Sequence, residues 1–327
     1  MSSKLSDFAL GSPSRLVGIL NLTPDSFSDG GRFNTVETAR KQTESLLEAG
    51  AAMLDIGAES TRPGSEELST ASEMERLLPV LEALQDLPVP YSVDTYRAET
   101  AAAALQAGAS LINDITGLAG DPELAEVVAD SGAGLILMFN PSILRPDHPA
   151  SQNFRRFAPR EHFSEAVRAR AETLPILEQM QLYFEESLSL ARRAGISEEL
   201  IWLDPGIGFG LSLNENLELL NGAAELIRSL GFARYFGVSR KRSLATILGS
   251  AGLELPREAP AANDLSAPLD PRDAATAAVT AILAAQGVEL LRVHNVAANR
   301  PALAIGQALA AERAGLSPDQ ILSPYQH

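Results

Sequence analysis

The stretch YSVDTYRAETAAAALQAGASLIND, residues 91–114, starts with a short apolar run ending on Asp94, passes through an alanine-rich segment of helical periodicity, and closes on a second apolar run ending at Asn113 and Asp114. Strand, helix and strand in that order form the repeating unit of a parallel sheet, since parallel neighbours need a crossover between them. The same rhythm continues in both directions. Apolar runs at residues 16–21, 53–57, 91–94, 110–114, 134–139, 201–204, 235–238 and 289–293 make eight expected strands, separated by alanine- and leucine-rich helical segments.

Eight parallel strands with intervening helices fit a closed barrel, and nearly every run ends in a polar or glycine-containing motif, which is where such barrels carry their chemistry. The expected fold is α/β, a (β/α)8 TIM barrel in a single domain over residues 15–315, with 1–14 as a flexible leader and 316–327 as a tail. An open, doubly wound sheet is the structural rival, because strand order is invisible in one sequence. In the barrel, Asn21, Asp55, Asp94, Asn113, Asp204 and His294 converge on one mouth. Two stretches break the rhythm. Residues 140–159, with four prolines, read as a long loop leading into a helix from about Arg160, and residues 250–271 as an irregular excursion before Arg272 restarts a helix.

Composition narrows the function. Hydrophobic residues make up 45% of the 327-residue chain and no apolar run is long enough to span a bilayer, so a large core and no membrane partner are expected. A net charge of -16 repels phosphate backbones over most of the surface, which argues against nucleic acid as a partner. The lack of cysteine removes disulfides, thiolate nucleophiles and cysteine-ligated metals, and His148, His162, His294 and His327 have no metal-binding spacing. The opening residues carry no apolar signal segment, so the expected compartment is the cytoplasm.

Four clusters can carry chemistry. In GILNLTPDSFSDGG, residues 18–31, a strand runs into a loop of hydroxyls and aspartates; turn chemistry explains Pro24 and the glycines, whereas Asn21 faces the barrel mouth. In DIGAESTRPG, residues 55–64, Arg62 offers a fixed fork of donors matched to phosphate oxygens, although a loop arginine is as readily just solvated. Asp94, Asn113 and Asp204 end three further strands. Helix capping explains any one of them, but three at equivalent barrel positions suit a ring rich in N–H donors. GVSRKR, residues 237–242, and LRVH, residues 291–294, bring Lys241, Arg292 and His294 to the loops after the last two strands, where barrels recurrently bind phosphate. Arg240 and Arg242 read as surface charges.

GILNLTPDSFSDGG, DIGAESTRPG, SVDT, INDITG, LDPGIGFG, GVSRKR and LRVH, in this order, resemble the dihydropteroate synthase family, from about Leu16 to the last helix. The resemblance implies a homodimeric barrel that condenses 6-hydroxymethyl-7,8-dihydropterin diphosphate with p-aminobenzoate, assisted by Mg2+, and that is a target of sulfonamides. Its implied pterin site is Asp94, Asn113, Met138, Asp204, Phe209, Gly237 and Lys241. The diphosphate site is Asn21, Arg62, Arg292 and His294, with Asn21 also close to the metal. Phe27, Thr61, Arg62, Pro63, Lys241 and Ser243 would form the p-aminobenzoate site, with Asp29 in the closing first loop and Asp55 a support on the pterin side. Three positions depart from the family pattern: Phe139 stands where strand five usually ends in histidine, Asn295 where aspartate usually follows the strand-eight histidine, and Arg242 where serine is common. Asn295 is expected to orient His294 by hydrogen bonding. The rival functions are a binding-only paralogue and a pterin-dependent corrinoid methyltransferase; the second has no need of the cluster Arg62, Lys241, Arg292 and His294.

Overall fold

The computed structural model describes residues 5–22, 32–61, 65, 67–157, 162–256 and 269–317. Its strands are β1 (Arg15–Asn21), β2 (Met53–Gly57), β3 (Tyr91–Asp94), β4 (Leu111–Asp114), β5 (Gly134–Met138), β6 (Ile201–Asp204), β7 (Ala233–Phe236) and β8 (Leu290–Val293). They pair in parallel and in chain order, and β8 closes back onto β1 with Val17 beside Arg292 and Gly18 beside Val293. The open-sheet alternative is thereby excluded. Around the barrel lie α1 (Arg32–Glu48), α2 (Thr70–Ala83), α3 (Ala98–Gln106), α4 (Leu124–Ser131), α5 (Pro141–Leu144), α6 (Glu165–Glu172), α7 (Ile176–Ala194), α8 (Leu213–Ser229), α9 (Arg242–Ser250), α10 (Pro271–Ala285) and α11 (Val296–Arg313).

The two-residue period of a strand organises the barrel interior. Val17, Met53, Leu111, Ile136, Trp202, Tyr235 and Leu290 form one buried cluster, apart from the larger core between barrel and helices. Two residues further along, Met53 gives way to Asp55, Leu111 to Asn113, Trp202 to Asp204 and Leu290 to Arg292. The lower interior is therefore packed hydrocarbon, and the charged row above it stands at the carboxyl ends of the strands.

Residues 5–14, expected as a flexible leader, instead close the lower end of this interior. Leu5 and Phe8 are buried in the same cluster as Trp202, whose indole N–H donates to the Phe8 carbonyl at 2.7 Å. The Gly11 amide donates to Glu289 at 2.8 Å, and Glu289 is also gripped by Arg234. Burying two such side chains is favourable by about 1.5–3 kcal/mol each, enough to hold a short segment that lacks strand or helix periodicity. The expected tail from residue 316 lies almost wholly outside the described residues.

Two further boundaries differ. β7 ends at Phe236 rather than at residue 238, because Gly237 and Val238 already belong to the turn into α9, with Val238 buried by packing rather than by strand pairing. The loop after β5 is largely ordered: Asn140 caps α5 by accepting from the Ser142 amide at 3.2 Å, and Pro149–Phe157 follows as a 3-10 segment. The next helix starts at Glu165, not Arg160, because the Ser164 hydroxyl accepts from the Val167 amide and provides the cap.

Candidate active site

The charged row converges on Asp55. This carboxylate, fully buried on β2, accepts from the Ser92 hydroxyl at 2.5 Å, from the Asn113 amide at 3.3 Å and from Arg292 Nε at 2.5 Å. Arg292 also reaches Asp94 at 3.3 Å. Four strands thus place Asp55, Ser92, Asp94, Asn113 and Arg292 in one network. Asp204, at the end of β6, accepts from the Gly206 amide at 2.8 Å and lies beside Gly237, where an added Cβ would sit 3.6 Å from its carboxylate and 3.9 Å from Arg292. Gly237 therefore leaves open space between the two.

Asn113 is spared for the site by its neighbour. Asp114 takes the turn role, accepting from the amides of Thr116 at 2.7 Å and Leu118 at 2.6 Å. Met138 and Phe209 supply apolar walls in a cluster with Ile115 and Phe154. Lys241 occupies the N-cap position of α9 without capping it, and holds its ammonium 4.4 Å from the centre of the Phe209 ring, a cation–π contact.

Burial sets the protonation states. It lifts Asp94 to about 7, helped by the facing Asp55 carboxylate and opposed by Arg292. It lifts Asp204 to about 6 against the stabilising Gly206 amide, and draws Lys241 down to about 8 against the attraction of Asp204. Desolvation works against the charge of Arg292, but Asp55, Tyr235 and Asp94 together more than offset it and hold the guanidinium firmly charged. Asp94 and Asp204 hold protons more tightly folded than unfolded, so the folded chain binds the extra protons between the ordinary carboxylate range and about 7. The stability of the ligand-free protein is expected to fall as pH rises through that window. Urea unfolding at pH 5, 6 and 7 checks this; a midpoint rising steadily across the series would refute it.

His294, just past β8, is oriented by Ser239 rather than by Asn295. The Ser239 hydroxyl lies 2.9 Å from His294 Nδ1 and accepts from the His294 amide at 3.1 Å. Asn295 instead caps α11 through the Ala298 amide at 2.9 Å and donates to Asp273 at 3.0 Å. Asp273 in turn clamps Arg240 through two bonds at 2.7 and 2.8 Å. Arg240 is therefore a half-buried anchor of the loop after β7, not a free surface charge, whereas Arg242 is exposed. Phe139 turns into the outer core, edge-on to Tyr183 with ring centroids 5.4 Å apart. Ser243 is buried in the first turn of α9. Asn21 ends β1 and Thr61 follows β2, both half-buried, while Phe27, Asp29, Arg62 and Pro63 lie outside the described residues.

Several residues of the arrangement have no conspicuous signal in the sequence. Ser239 is embedded in the GVSRKR motif, but nothing there marks it as the partner of His294, 55 residues away. Arg97 follows SVDTY without any pattern of its own, yet it binds Glu59 at 2.7 Å, Glu73 at 2.9 Å and the Leu68 carbonyl at 2.7 Å. It thereby ties both flanks of the loop after β2 to the start of α3.

A family described as pterin binding enzyme matches residues 17–294. The dihydropteroate synthase of Synechocystis sp. is 37% identical over 305 residues, covering 92% of each chain. The chain belongs to the dihydropteroate synthase family. Among solved structures, the Clostridium difficile dihydropteroate synthase, obtained in the presence of pteroic acid, superposes with a TM-score of 0.74 at 32% identity, covering 91% of this chain and 97% of that one. The Xanthomonas albilineans enzyme with 4-aminobenzoic acid gives 0.72 at 35% identity, covering 92% and 94%. The family expected from the motifs and the TIM barrel expected from the strand rhythm are both found. No helix among the described residues is long and apolar enough to cross a membrane.

Proposed function

We propose that this chain condenses 6-hydroxymethyl-7,8-dihydropterin diphosphate with p-aminobenzoate, yielding 7,8-dihydropteroate and diphosphate for folate biosynthesis, and that it works as a cytoplasmic homodimer. The observation that carries the reading is the network of Asp55, Asp94, Asn113 and Arg292, with Asp204 and Lys241 beside it, above a packed barrel interior. A pterin edge presents several N–H donors, and Asp94, Asn113 and Asp204 are acceptors at the mouth ends of β3, β4 and β6. Both acids are lifted by burial, so donors from the ring favour their charged forms and bind best where the carboxylates have ionised. Met138 and Phe209 supply the apolar faces that a flat ring requires.

Chemically the step is a substitution at the pterin methylene. The carbon–oxygen bond to diphosphate breaks, the electron pair leaves with the diphosphate, the p-aminobenzoate amine forms the new carbon–nitrogen bond, and its proton passes to solvent or diphosphate. No protein nucleophile is required. Asn21, Arg62, Arg292 and His294 are assigned to the diphosphate, where fixed positive charge and N–H donors stabilise the leaving group as it departs. Phe27, Thr61, Arg62, Pro63, Lys241 and Ser243 are assigned to p-aminobenzoate, with Asp29 on the first loop, and sulfonamides would compete there.

Magnesium takes oxygen ligands and keeps several waters, so one side-chain oxygen suffices when a diphosphate supplies others. Asn21, a half-buried amide at the mouth end of β1, fits one such position. When bound there, magnesium would neutralise charge on the departing diphosphate.

Ile305 and Leu309, one turn apart on α11, are 61% and 50% exposed, and Ile282 on the adjoining α10 is 55% exposed. This apolar face supports the homodimer, which sedimentation velocity at micromolar concentration would distinguish from a monomer. A binding-only paralogue loses its best support, since Phe139 and Asn295 both act in packing and capping. Purified protein supplied with the pterin diphosphate, Mg2+ and p-aminobenzoate should release dihydropteroate detectable by mass spectrometry. Pterin binding without product would sink the catalytic reading.

A further inference from the structure

The ordered segment after β5 reaches the site through one ring. Ile115, Met138, Phe154 and Phe209 form an apolar cluster separate from the two cores, with Tyr96 packed against it. Met138 ends β5, and Ile115 and Phe209 follow β4 and β6, whereas Phe154 comes from the 3-10 segment Pro149–Phe157. It is only 7% exposed, and its ring centroid lies 5.4 Å from that of Phe209 with the planes tilted by 44°. Phe209 thus has Phe154 on one contact and the Lys241 ammonium on another.

The loop that carries Phe209 is Gly206-Ile-Gly-Phe-Gly210, and its backbone cannot hold the ring alone. Gly206 sits at φ +68° with an ideal Cβ only 1.9 Å from the Phe139 carbonyl oxygen, so the loop rests directly on the end of β5. Gly210, at φ +55°, has its Cβ position 3.2 Å from the Ser142 amide and the Ser151 hydroxyl. Arg145, buried and ion-paired with Glu215 at the start of α8, donates to the Gly210 carbonyl at 3.2 Å. Ser142, Arg145, Ser151 and Phe154 therefore all bear on the five residues of one glycine loop.

We infer that Phe154 is a positioning residue for the pterin slot, holding the Phe209 ring, while Arg145 keeps the glycine loop in register. Glycines supply close approach but no side-chain packing, so the rotamer of Phe209 is set by whatever ring stands against it. The inference rests on the dihydropteroate synthase reading and adds a residue that touches no substrate.

Full-length wild type, Phe154→Ala and Phe154→Leu are compared by calorimetric titration with 6-hydroxymethyl-7,8-dihydropterin diphosphate and Mg2+, by KM for each substrate, and by thermal melting. Phe154→Ala is expected to weaken pterin binding and raise its KM about ten-fold, the effect of losing one aromatic contact, with the p-aminobenzoate KM changed less than about two-fold. Phe154→Leu, which keeps apolar volume without the ring, should fall between, at about three-fold. Wild-type pterin affinity in Phe154→Ala, or an equal rise in both KM values, would overturn the inference. If the alanine variant melts below the assay temperature, the leucine variant decides: a selective loss of pterin affinity supports the assignment, and unchanged affinity removes it. A wild type that binds no pterin would instead defeat the parent reading.

Discussion

Replacing Lys241 by alanine is expected to lower kcat/KM by about a hundred- to a thousand-fold, the range for removing one preorganised charge from an active site. The ammonium lies over Phe209, close enough to Asp204 to feel its charge, and its residue stands at the amino end of α9. Helix amino ends attract anions through their free amides, so Lys241 and α9 act on the same ligand charge. Fold stability should hold or rise, because burial already draws the Lys241 pKa down to about 8 and so taxes its charged form. Steady-state kinetics and a melting curve on one preparation check both halves. Near-normal turnover with an unchanged melt would remove Lys241 from the site.

The second large effect concerns Asp55. Asp55→Ala is expected to cost about 3 kcal/mol of stability, because it leaves a guanidinium only 18% exposed without its principal partner. Ser92, Asn113 and Arg292 all point their donors at this one carboxylate, so its loss also releases the Asn113 amide and lets Arg292 turn wholly to Asp94. Asp94 should then ionise more readily, since the Asp55 charge that helps raise it is gone while Arg292 remains. The fall in stability with rising pH should become shallower. Urea titrations at two pH values separate these outcomes from a simple packing loss. A midpoint shift corresponding to less than about 1 kcal/mol would show that the network does not centre on Asp55. Arg292→Ala leaves Asp55 unpaired and is expected to destabilise for the same reason, so Lys241 is the cleaner probe of catalysis.

Both predictions depend on how much of the site is visible in the residues alone. Asp94, Asn113 and Asp204 are legible because each ends an apolar run of strand length, and strand ends are where a parallel barrel presents function. Lys241, Arg292 and His294 are legible because positive charge gathers after the last two strands of an acidic chain. Ser239, Arg97 and Phe154 are not. Each acts on a partner distant in sequence, 55 residues away for Ser239 and His294, and no local periodicity encodes such a pairing. Arg240 shows the converse error, since a charged residue in a loop reads as solvated until the buried Asp273 is found beneath it.

What the sequence by itself determined is the alternation of strand and helix, the polar or glycine-containing motif at the end of nearly every strand, and the family motifs. These follow from chemistry within about ten residues, where apolar period and turn residues act directly. Tertiary structure alone decided that the sheet closes, that residues 5–14 plug its lower end, that Asp55 gathers donors from three other strands, and that the proline-rich segment after β5 lays Phe154 against Phe209. Closure depends on the pairing of β8 with β1, and burial of a carboxylate depends on every strand around it. Such contacts exist only once distant segments have met, so no single stretch of the chain can state them.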